Sequence, residues 1–336
     1  DRDQMEVFCY ANQPVEDEIT HRLRSLADHW RNIFRESHDA AADLIQRDKI
    51  DILVDLSSHT NANRLLVFAR KPAPVQGTYL GYASTTGLRA IDFRLTDAWV
   101  DPPGMSESHH TEQLVRLPNT QWVYRPPTSA PEITPLPAES NGHMTFGIAA
   151  NLSKINVVTI EMWSRTLRAA PGSILFLKGT GLDDPPTRQH FVNEFAGRGI
   201  GESRLRLESS SPLAEYFQWF EQVDLILDTF PFAGGTTSCH SLYMGVPVIT
   251  RTGDTSVSRV GSSILHNLRL GELVADTPEM FVKIATELAD DLPRLSQLRQ
   301  SLRDRMKASP IMDEVRFVAN LESAYRALWR AWCERV

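Results

Sequence analysis

The sequence predicts an α/β protein of two domains, each built on a parallel sheet, and three observations carry that expectation. Short apolar, β-rich runs alternate with longer runs of helical period along nearly the whole chain, and strand–helix alternation of this kind makes parallel sheets with crossover helices. At 336 residues the chain exceeds one average domain. Between Pro126 and Ser140 there are five prolines in fifteen residues. A core strand does not tolerate so many missing N–H donors, so this stretch reads as an extended linker. The expected organisation is an N-terminal domain over 1–125, a linker over 126–142 and a C-terminal domain over 143–336.

Taken in order, the strand-like runs are Val7–Tyr10, Ile50–Leu56, Val75–Leu80, Phe93–Thr96, Phe146–Ala150, Ile174–Lys178, Leu205–Leu207, Leu225–Asp228 and Val246–Thr250. Helical periodicity marks Val15–Ile33, Asp39–Arg47, Val157–Ala170, Leu213–Glu221 and Thr277–Leu288. The tail from Ile311 carries Val315, Phe317, Val318, Leu321, Tyr325, Leu328 and Trp332 at the spacing of one long amphipathic helix. Two α/β units on a proline-rich hinge place a ligand in the cleft between them, at the carboxyl ends of the strands.

Composition narrows the partners. Hydrophobic residues make up 42% and charged residues 23%, as in a globular protein with a real core. No apolar run reaches the roughly 20 residues of a membrane span, and the charged start Asp1-Arg2-Asp3-Gln4 is unlike a signal peptide. A net charge of −7 argues against nucleic acid as the main partner. Cys9, Cys239 and Cys333 are too few and too dispersed for a disulfide framework or a zinc site, so a cytoplasmic setting is expected.

Three segments carry site chemistry. In the first, an apolar strand ends at Asp228 and Gly234-Gly-Thr-Thr237 opens a helix ending near Met244-Gly245. A helix start has free N–H groups and about half a positive charge, which suits an anion. The plainer alternative is a threonine N-cap with glycines serving a tight turn. In the second, a strand ends in small residues, followed by Asn151, Ser153 and Lys154 ahead of a helix. Lys154 there suits a diphosphate as a point charge, or is a solvated loop lysine. In the third, Asp55 and His59 flank a strand end, Thr60 is placed to cap the next helix, and Gly81–Gly87 forms a small-residue loop suited to sugar or peptide contacts. The plainer reading makes His59 a turn histidine with Asp55 as its structural partner. His109-His110 is a poor metal pair, no Asp-x-Asp is placed to hold a divalent metal for a sugar diphosphate, and there is no P-loop, HExxH or Gly-x-Ser-x-Gly. Positive charge for a departing phosphate group would then come from lysine and the helix terminus, with no metal or other cofactor.

In the first half, Asp51-Ile-Leu-Val-Asp-Leu-Ser-Ser-His-Thr60, Phe68-Ala-Arg-Lys-Pro-Ala-Pro-Val-Gln76, Leu80-Gly-Tyr82, Thr85-Thr-Gly87 and Thr96-Asp97 closely resemble the N-terminal catalytic lobe of protein O-GlcNAc transferases. Asn151-Leu-Ser-Lys-Ile155, Leu227-Asp-Thr-Phe-Pro231, Gly235-Thr-Thr237, Met244-Gly-Val-Pro247 and Ser258-Arg-Val-Gly261 are similar to the C-terminal lobe, and the matches keep their order. The resemblance implies a GT-B fold, with two Rossmann-like domains facing across a cleft. It implies UDP-N-acetylglucosamine as donor, Ser/Thr of a polypeptide as acceptor, and inversion without a metal. It also implies a first strand with a histidine-bearing loop and tetratricopeptide repeats upstream of Asp1.

Residue by residue, Lys154 matches the lysine that stabilises the departing diphosphate, and Asn151 stands where the family often has a glutamine on the same groups. Thr236 and Thr237 match the helix-start threonines. Leu80 and Gly81 match residues near the sugar, Ser57 and Thr60 lie in the acceptor-facing loop, and His59 looks like a residue shared with bacterial relatives. Departures are Gly235 in place of a histidine, His240 where others present an acid to the ribose, and Tyr216 near the base. His59 and Asp55 are the general-base candidates within this chain. Two alternatives remain beside the main reading: a related transferase or epimerase using another UDP-sugar, and a catalytically incomplete nucleotide-sugar-binding module.

Overall fold

The computed structural model describes residues 1–335; Val336, the last residue of the expected C-terminal domain, lies outside them. In chain order the strands and helices are β1 (Phe8–Ala11), α1 (Glu18–Leu26), β2 (His29–Asn32), α2 (His38–Arg47), β3 (Ile52–Asp55), α3 (Leu65–Phe68), β4 (Val75–Thr78), β5 (Phe93–Thr96) and β6 (Gln113–Arg116). They continue with α4 (Pro137–Asn141), β7 (Thr145–Ala149), α5 (Val157–Ala169), β8 (Ile174–Lys178), α6 (Pro185–Ala196), β9 (Leu205–Glu208), α7 (Leu213–Trp219), β10 (Leu225–Leu227) and α8 (Thr236–Tyr243). The chain ends with β11 (Val248–Arg251), α9 (Val260–Asn267), β12 (Val274–Ala275), α10 (Pro278–Asp290), α11 (Leu292–Lys307) and α12 (Glu314–Cys333).

These elements form two compact units. The first comprises Asp1–Leu95, His109–Leu114 and the chain from Tyr325 onward; the second comprises Thr96–Ser108 and Val115–Ala324. That division departs from the expected 1–125 and 143–336 scheme. The proline-rich stretch belongs wholly to the second unit, because its backbone is strapped onto that unit by two arginines of α11. Arg299 donates to Thr134 O at 2.7 Å, and Arg303 donates to Pro131 O at 2.6 Å. Leu136 is buried, and α4 begins at Pro137. The long tail helix is present as expected, and the division of units falls within it.

In the first unit β1 and β2 pair in parallel, Phe8 opposite His29, and β3, β4 and β5 form a second parallel array with β6 at its edge. Ile33, Ala41, Ala42, Ile45, Leu53 and Val67 make its core, with Tyr10 packed against them. The expected helix over Val15–Ile33 is corrected here, since it stops at Leu26 and His29–Asn32 is a strand. Asp28 accepts from Val7 N at 2.8 Å, and Val7 O accepts from the Asp28 and His29 amides. Pairing with β1 therefore overrides a helical period that continues in the sequence.

The second unit holds a six-stranded sheet in the order β12-β11-β10-β7-β8-β9, with parallel pairing throughout. Counted from β7, this is 3-2-1-4-5-6, the doubly wound order with a reversal between β7 and β10. The central strands β7, β8 and β10 are buried on both faces, as covered parallel strands must be. Gly147 in β7 is required by packing, because a Cβ there would lie 2.4 Å from Val223 Cγ1 and 2.9 Å from the Trp219 ring. Helix starts are set by Asn156, Asp184, Thr277 and Asp291, each accepting from a first-turn amide. The α/β class with parallel sheets is as the sequence predicts.

Arg299 is the largest polar commitment of this core. It is 1% exposed and its guanidinium also donates to Val223 O at 2.8 Å and Phe220 O at 3.1 Å. Burial pushes its pKa down to about 10, partly offset by Asp224 and Glu221. Replacing it strands several buried carbonyls. Arg299→Leu is expected to lower stability by about 3 kcal/mol, read from urea unfolding; a loss under about 0.5 kcal/mol would show the strap to be dispensable.

Candidate functional site

At the reversal between β7 and β10 the helices that follow these strands leave to opposite faces of the sheet, which opens a crevice at the strand ends. A cavity of about 230 Å³ lies there, within the second unit. Its walls are the end of β7 with Asn151 and Lys154, the end of β10 with Asp228 and Thr229, and the first turns of α8 with Gly234, Thr237 and Ser238. Two of its lining side chains are ionisable, Lys154 and Asp228.

Helix α8 presents an uncapped N-terminus to this crevice. Gly235 is its N-cap and no side chain caps it, so the alternative of a threonine N-cap is set aside. The amides of Thr236, Thr237 and Ser238 precede the first intrahelical bond, which Cys239 N makes to Gly235 O. These are the orphan donors of a helix start, and with the helix dipole they favour an anion. Thr237 lines the cavity, whereas Thr236 is exposed at the helix tip.

The turn before α8 is closed by Asp228. Its Oδ1 accepts from Gly234 N and Thr229 N, both at 2.8 Å, and its Oδ2 accepts from Thr250 Oγ1 at 2.8 Å. Gly234 is tied down on both sides, since a Cβ would lie 2.4 Å from Ser238 Oγ and 3.2 Å from Asp228 Oδ1. Gly235 differs: its nearest neighbour would be 3.8 Å away. Gly234 is therefore needed for the turn itself, as in the plainer reading of the glycines, whereas Gly235 leaves open space beside the helix start.

Lys154 lies opposite, in a short 3-10 turn capped by Asn151, whose side chain accepts from Ser153 N at 3.0 Å. The Lys154 ammonium donates to Ala233 O at 3.4 Å and sits 3.8 Å from the Phe232 ring centroid. Burial pushes its pKa below the ordinary lysine value, and the Asp228 carboxylate pulls it back up. Lys154 and the start of α8 are therefore brought to one crevice, as the sequence predicts. His240 is not part of its lining. It sits one turn further along α8 among the rings of Tyr124, Tyr216 and Phe217, with centroids 5.6, 5.6 and 5.0 Å away. Burial pushes this imidazole down to about 4, so it is neutral at pH 7, and its Nδ1 is buried without a partner among the described residues.

The remaining candidates belong to the first unit. Asp55 is corrected from a general-base candidate to an anchor. It is 4% exposed, accepts from Ser57 N at 3.1 Å, Ser58 N at 2.8 Å and Thr78 Oγ1 at 2.8 Å, and so fixes the turn after β3. Nor does Asp55 pair with His59, which is exposed and meets Thr85 O through Nε2 at 3.0 Å. Thr60 does not cap α3, whose N-cap is Arg64; its hydroxyl donates to Ser57 O at 2.7 Å. Gly81 lets two loops meet, since a Cβ would lie 2.5 Å from the Ser57 carbonyl carbon, while Leu80 is exposed with φ +66°. Glu112 holds Thr85 and Thr86, accepting from Thr85 Oγ1 and Thr86 N at 2.7 Å. Among the described residues no group of three or more His, Cys, Asp and Glu side chains is arranged to hold a metal, and His109-His110 forms none. No helix among them is long and apolar enough to cross a membrane.

Asp228, Thr229, Ser238 and Ser241 also line the crevice, none of them a site residue expected from the sequence. A carboxylate at a strand's carboxyl end before a glycine turn was the available signal.

Known proteins are similar to this chain in sequence and in fold. The profile of the family described as Glycosyl transferase family 41 matches residues 1–125 and 136–321. The chain is 40% identical over 333 residues to the probable UDP-N-acetylglucosamine–peptide N-acetylglucosaminyltransferase SPINDLY of Solanum lycopersicum, covering 98% of this chain and 36% of that protein. To the probable transferase SEC of Arabidopsis thaliana it is 31% identical over 347 residues, covering 99% of this chain and 35% of that protein. A solved lysine-to-methionine mutant of Thermobaculum terrenum O-GlcNAc transferase superposes with a TM-score of 0.94 at 41% identity, covering 98% of this chain and 62% of that one. Sucrose-phosphate synthase from Thermosynechococcus elongatus, at 10% identity and a TM-score of 0.59, shares the fold alone. The chain spans about a third of the length of the curated relatives it matches.

The contrast between the two glycines gives a direct check of the turn. Gly234→Ala is expected to cost about 1–3 kcal/mol by overpacking, and Gly235→Ala less than about 1 kcal/mol as a poorer N-cap, both measured by urea unfolding. Equal losses at the two positions would contradict this account of the turn.

Proposed function

Because the chain belongs to glycosyl transferase family 41, we propose that it is the catalytic part of an inverting glycosyltransferase that moves N-acetylglucosamine from UDP-N-acetylglucosamine to Ser or Thr hydroxyls of polypeptides. The observation that carries the reading is the pairing of the Lys154 ammonium with the uncapped start of α8 in one crevice at the switch point. A sugar diphosphate develops its charge on the leaving oxygen as the anomeric bond breaks. A fixed ammonium and a set of convergent N–H groups stabilise that charge without reorganising, which is the largest kind of catalytic effect in such transfers.

In the proposed step the acceptor oxygen forms a bond to the anomeric carbon as the bond to the diphosphate breaks. UDP departs onto Lys154 and α8, and the acceptor proton passes to a base. His59 is the candidate base of this chain: its Nε2 meets Thr85 O, which only accepts, so in the neutral ring Nδ1 is the nitrogen that takes a proton. Asn151, whose Oδ1 is used by Ser153 N, has its amide NH2 left to donate to the diphosphate. Thr237 adds a hydroxyl to the same group, and Thr236 one at the helix tip. The positive charge needed by the leaving group is supplied here by protein groups, which supports transfer without a metal. The acceptor class follows the relatives' names, the tetratricopeptide repeats follow the family resemblance, and a cytoplasmic location follows the few and dispersed cysteines.

Two measurements test the proposal. Calorimetry with UDP-N-acetylglucosamine, UDP-glucose and UDP-galactose is expected to favour the first; equal affinities would support a transferase for another UDP-sugar. Lys154→Met is expected to cut turnover at least a hundredfold, as losing a leaving-group donor does, and turnover surviving within about tenfold, or 1.4 kcal/mol, would refute the role given to Lys154.

A further inference from the structure

We propose that Asp228 is a positioning residue of this site: its buried carboxylate closes the turn that aims the start of α8 and supplies the one fixed negative charge that faces the Lys154 ammonium. The inference deepens the reading above and rests on it for the identity of the ligand.

The geometry separates two tasks between the two oxygens. Oδ1 collects the amides of Thr229 and Gly234, both at 2.8 Å, and thereby ties the end of β10 to the residue just before the α8 N-cap. Oδ2 takes the Thr250 hydroxyl from the neighbouring strand β11 at 2.8 Å. Glycines wall the carboxylate on both sides, since a Cβ on Gly261 would lie 3.0 Å from Oδ2 and one on Gly234 3.2 Å from Oδ1. The residue spanned by this clamp, Ala233, is the one whose carbonyl receives the Lys154 ammonium at 3.4 Å, and its neighbour Phe232 puts a ring face 3.8 Å from the same Nζ. Fixing the turn therefore fixes the lysine.

The charge matters as much as the clamp. The other groups facing Lys154 are a carbonyl, an aromatic face, and neutral side chains from β7, β10 and α8, so Asp228 is the one charged side chain of the cavity lining besides Lys154 itself. Burial works against an ammonium here, and the carboxylate restores it. Asp228 is in turn pushed up by burial and pulled back by Thr250, by the Gly234 and Thr229 amides and by Lys154. The pair carries no net charge, and when an anion arrives the helix terminus adds the attraction that lysine and aspartate together do not.

Asp228→Asn separates the two tasks. An asparagine Oδ1 still accepts the Thr229 and Gly234 amides, and its NH2 can donate to Thr250 Oγ1, so the turn stays closed while the charge is gone. The test is UDP affinity by calorimetry across pH 6–10. Removing the negative charge lowers the Lys154 pKa, so the alkaline limb, where the ammonium is lost, should move down by about one pH unit or more in Asp228→Asn. A purely structural role would weaken binding equally at every pH, and an unmoved limb overturns the inference. If the unsubstituted chain fails to bind UDP at all, it is the functional reading that falls. Should Asp228→Asn not fold, the coupling is read from the other side: Lys154→Met must raise the titration midpoint of the Asp228 carboxyl carbon resonance, and an unmoved midpoint overturns the assignment.

Discussion

The reversal of strand order between β7 and β10 is the constraint on which the rest of this site depends. In a parallel sheet each strand hands the chain to a helix that covers one face, and where the direction of winding changes, the ends of two adjacent strands are left without a covering helix. In this chain that gap receives the residues after Ala149 and the residues after Leu227. Everything with ligand chemistry in the second unit, Asn151, Lys154, Asp228 and the start of α8, is delivered there by those two connections. Unrelated side chains far apart in sequence become neighbours because of topology, with no long-range recognition between them needed.

Electrostatics then decides what such a gap can hold. An ammonium in a half-buried position is penalised by desolvation, and a buried carboxylate more so. Lining one cavity, and with the carboxylate accepting from Thr229, Gly234 and Thr250, each favours the charged form of the other. The result is a site whose two ionisable side chains are of opposite kinds, with the uncapped first turn of α8 in its wall. An anionic ligand completes that arrangement. The neutral His240, half-buried among aromatic rings, contributes shape and hydrogen-bonding capacity, and no charge, to that helix.

Local chemistry was legible in the sequence, and pairing partners were not. The start of α8 could be read because glycines followed by threonines after an apolar strand describe a helix terminus on their own, and β5 and β8 were bounded as observed for the same reason. Asp55 could not be read, because its role depends on Thr78 in the neighbouring strand and on two backbone amides that no side-chain pattern announces. The strand β2 was hidden inside a helical period and exists because β1 lies beside it. The proline-rich stretch looked like a hinge, and is instead a strap, because the arginines that hold it, Arg299 and Arg303, lie more than 160 residues downstream. Asp228 was visible as a strand end, but its function follows from closing a turn onto itself, which is a three-dimensional fact.

The most direct measurement is a crystal structure of the chain with UDP bound. The account places the pyrophosphate in the crevice between the ends of β7 and β10, within hydrogen-bonding distance of Lys154 Nζ, of the Thr237 hydroxyl and of the first amides of α8. A nucleotide bound with its pyrophosphate away from that helix terminus, or with Lys154 turned from it, would contradict the account at its root.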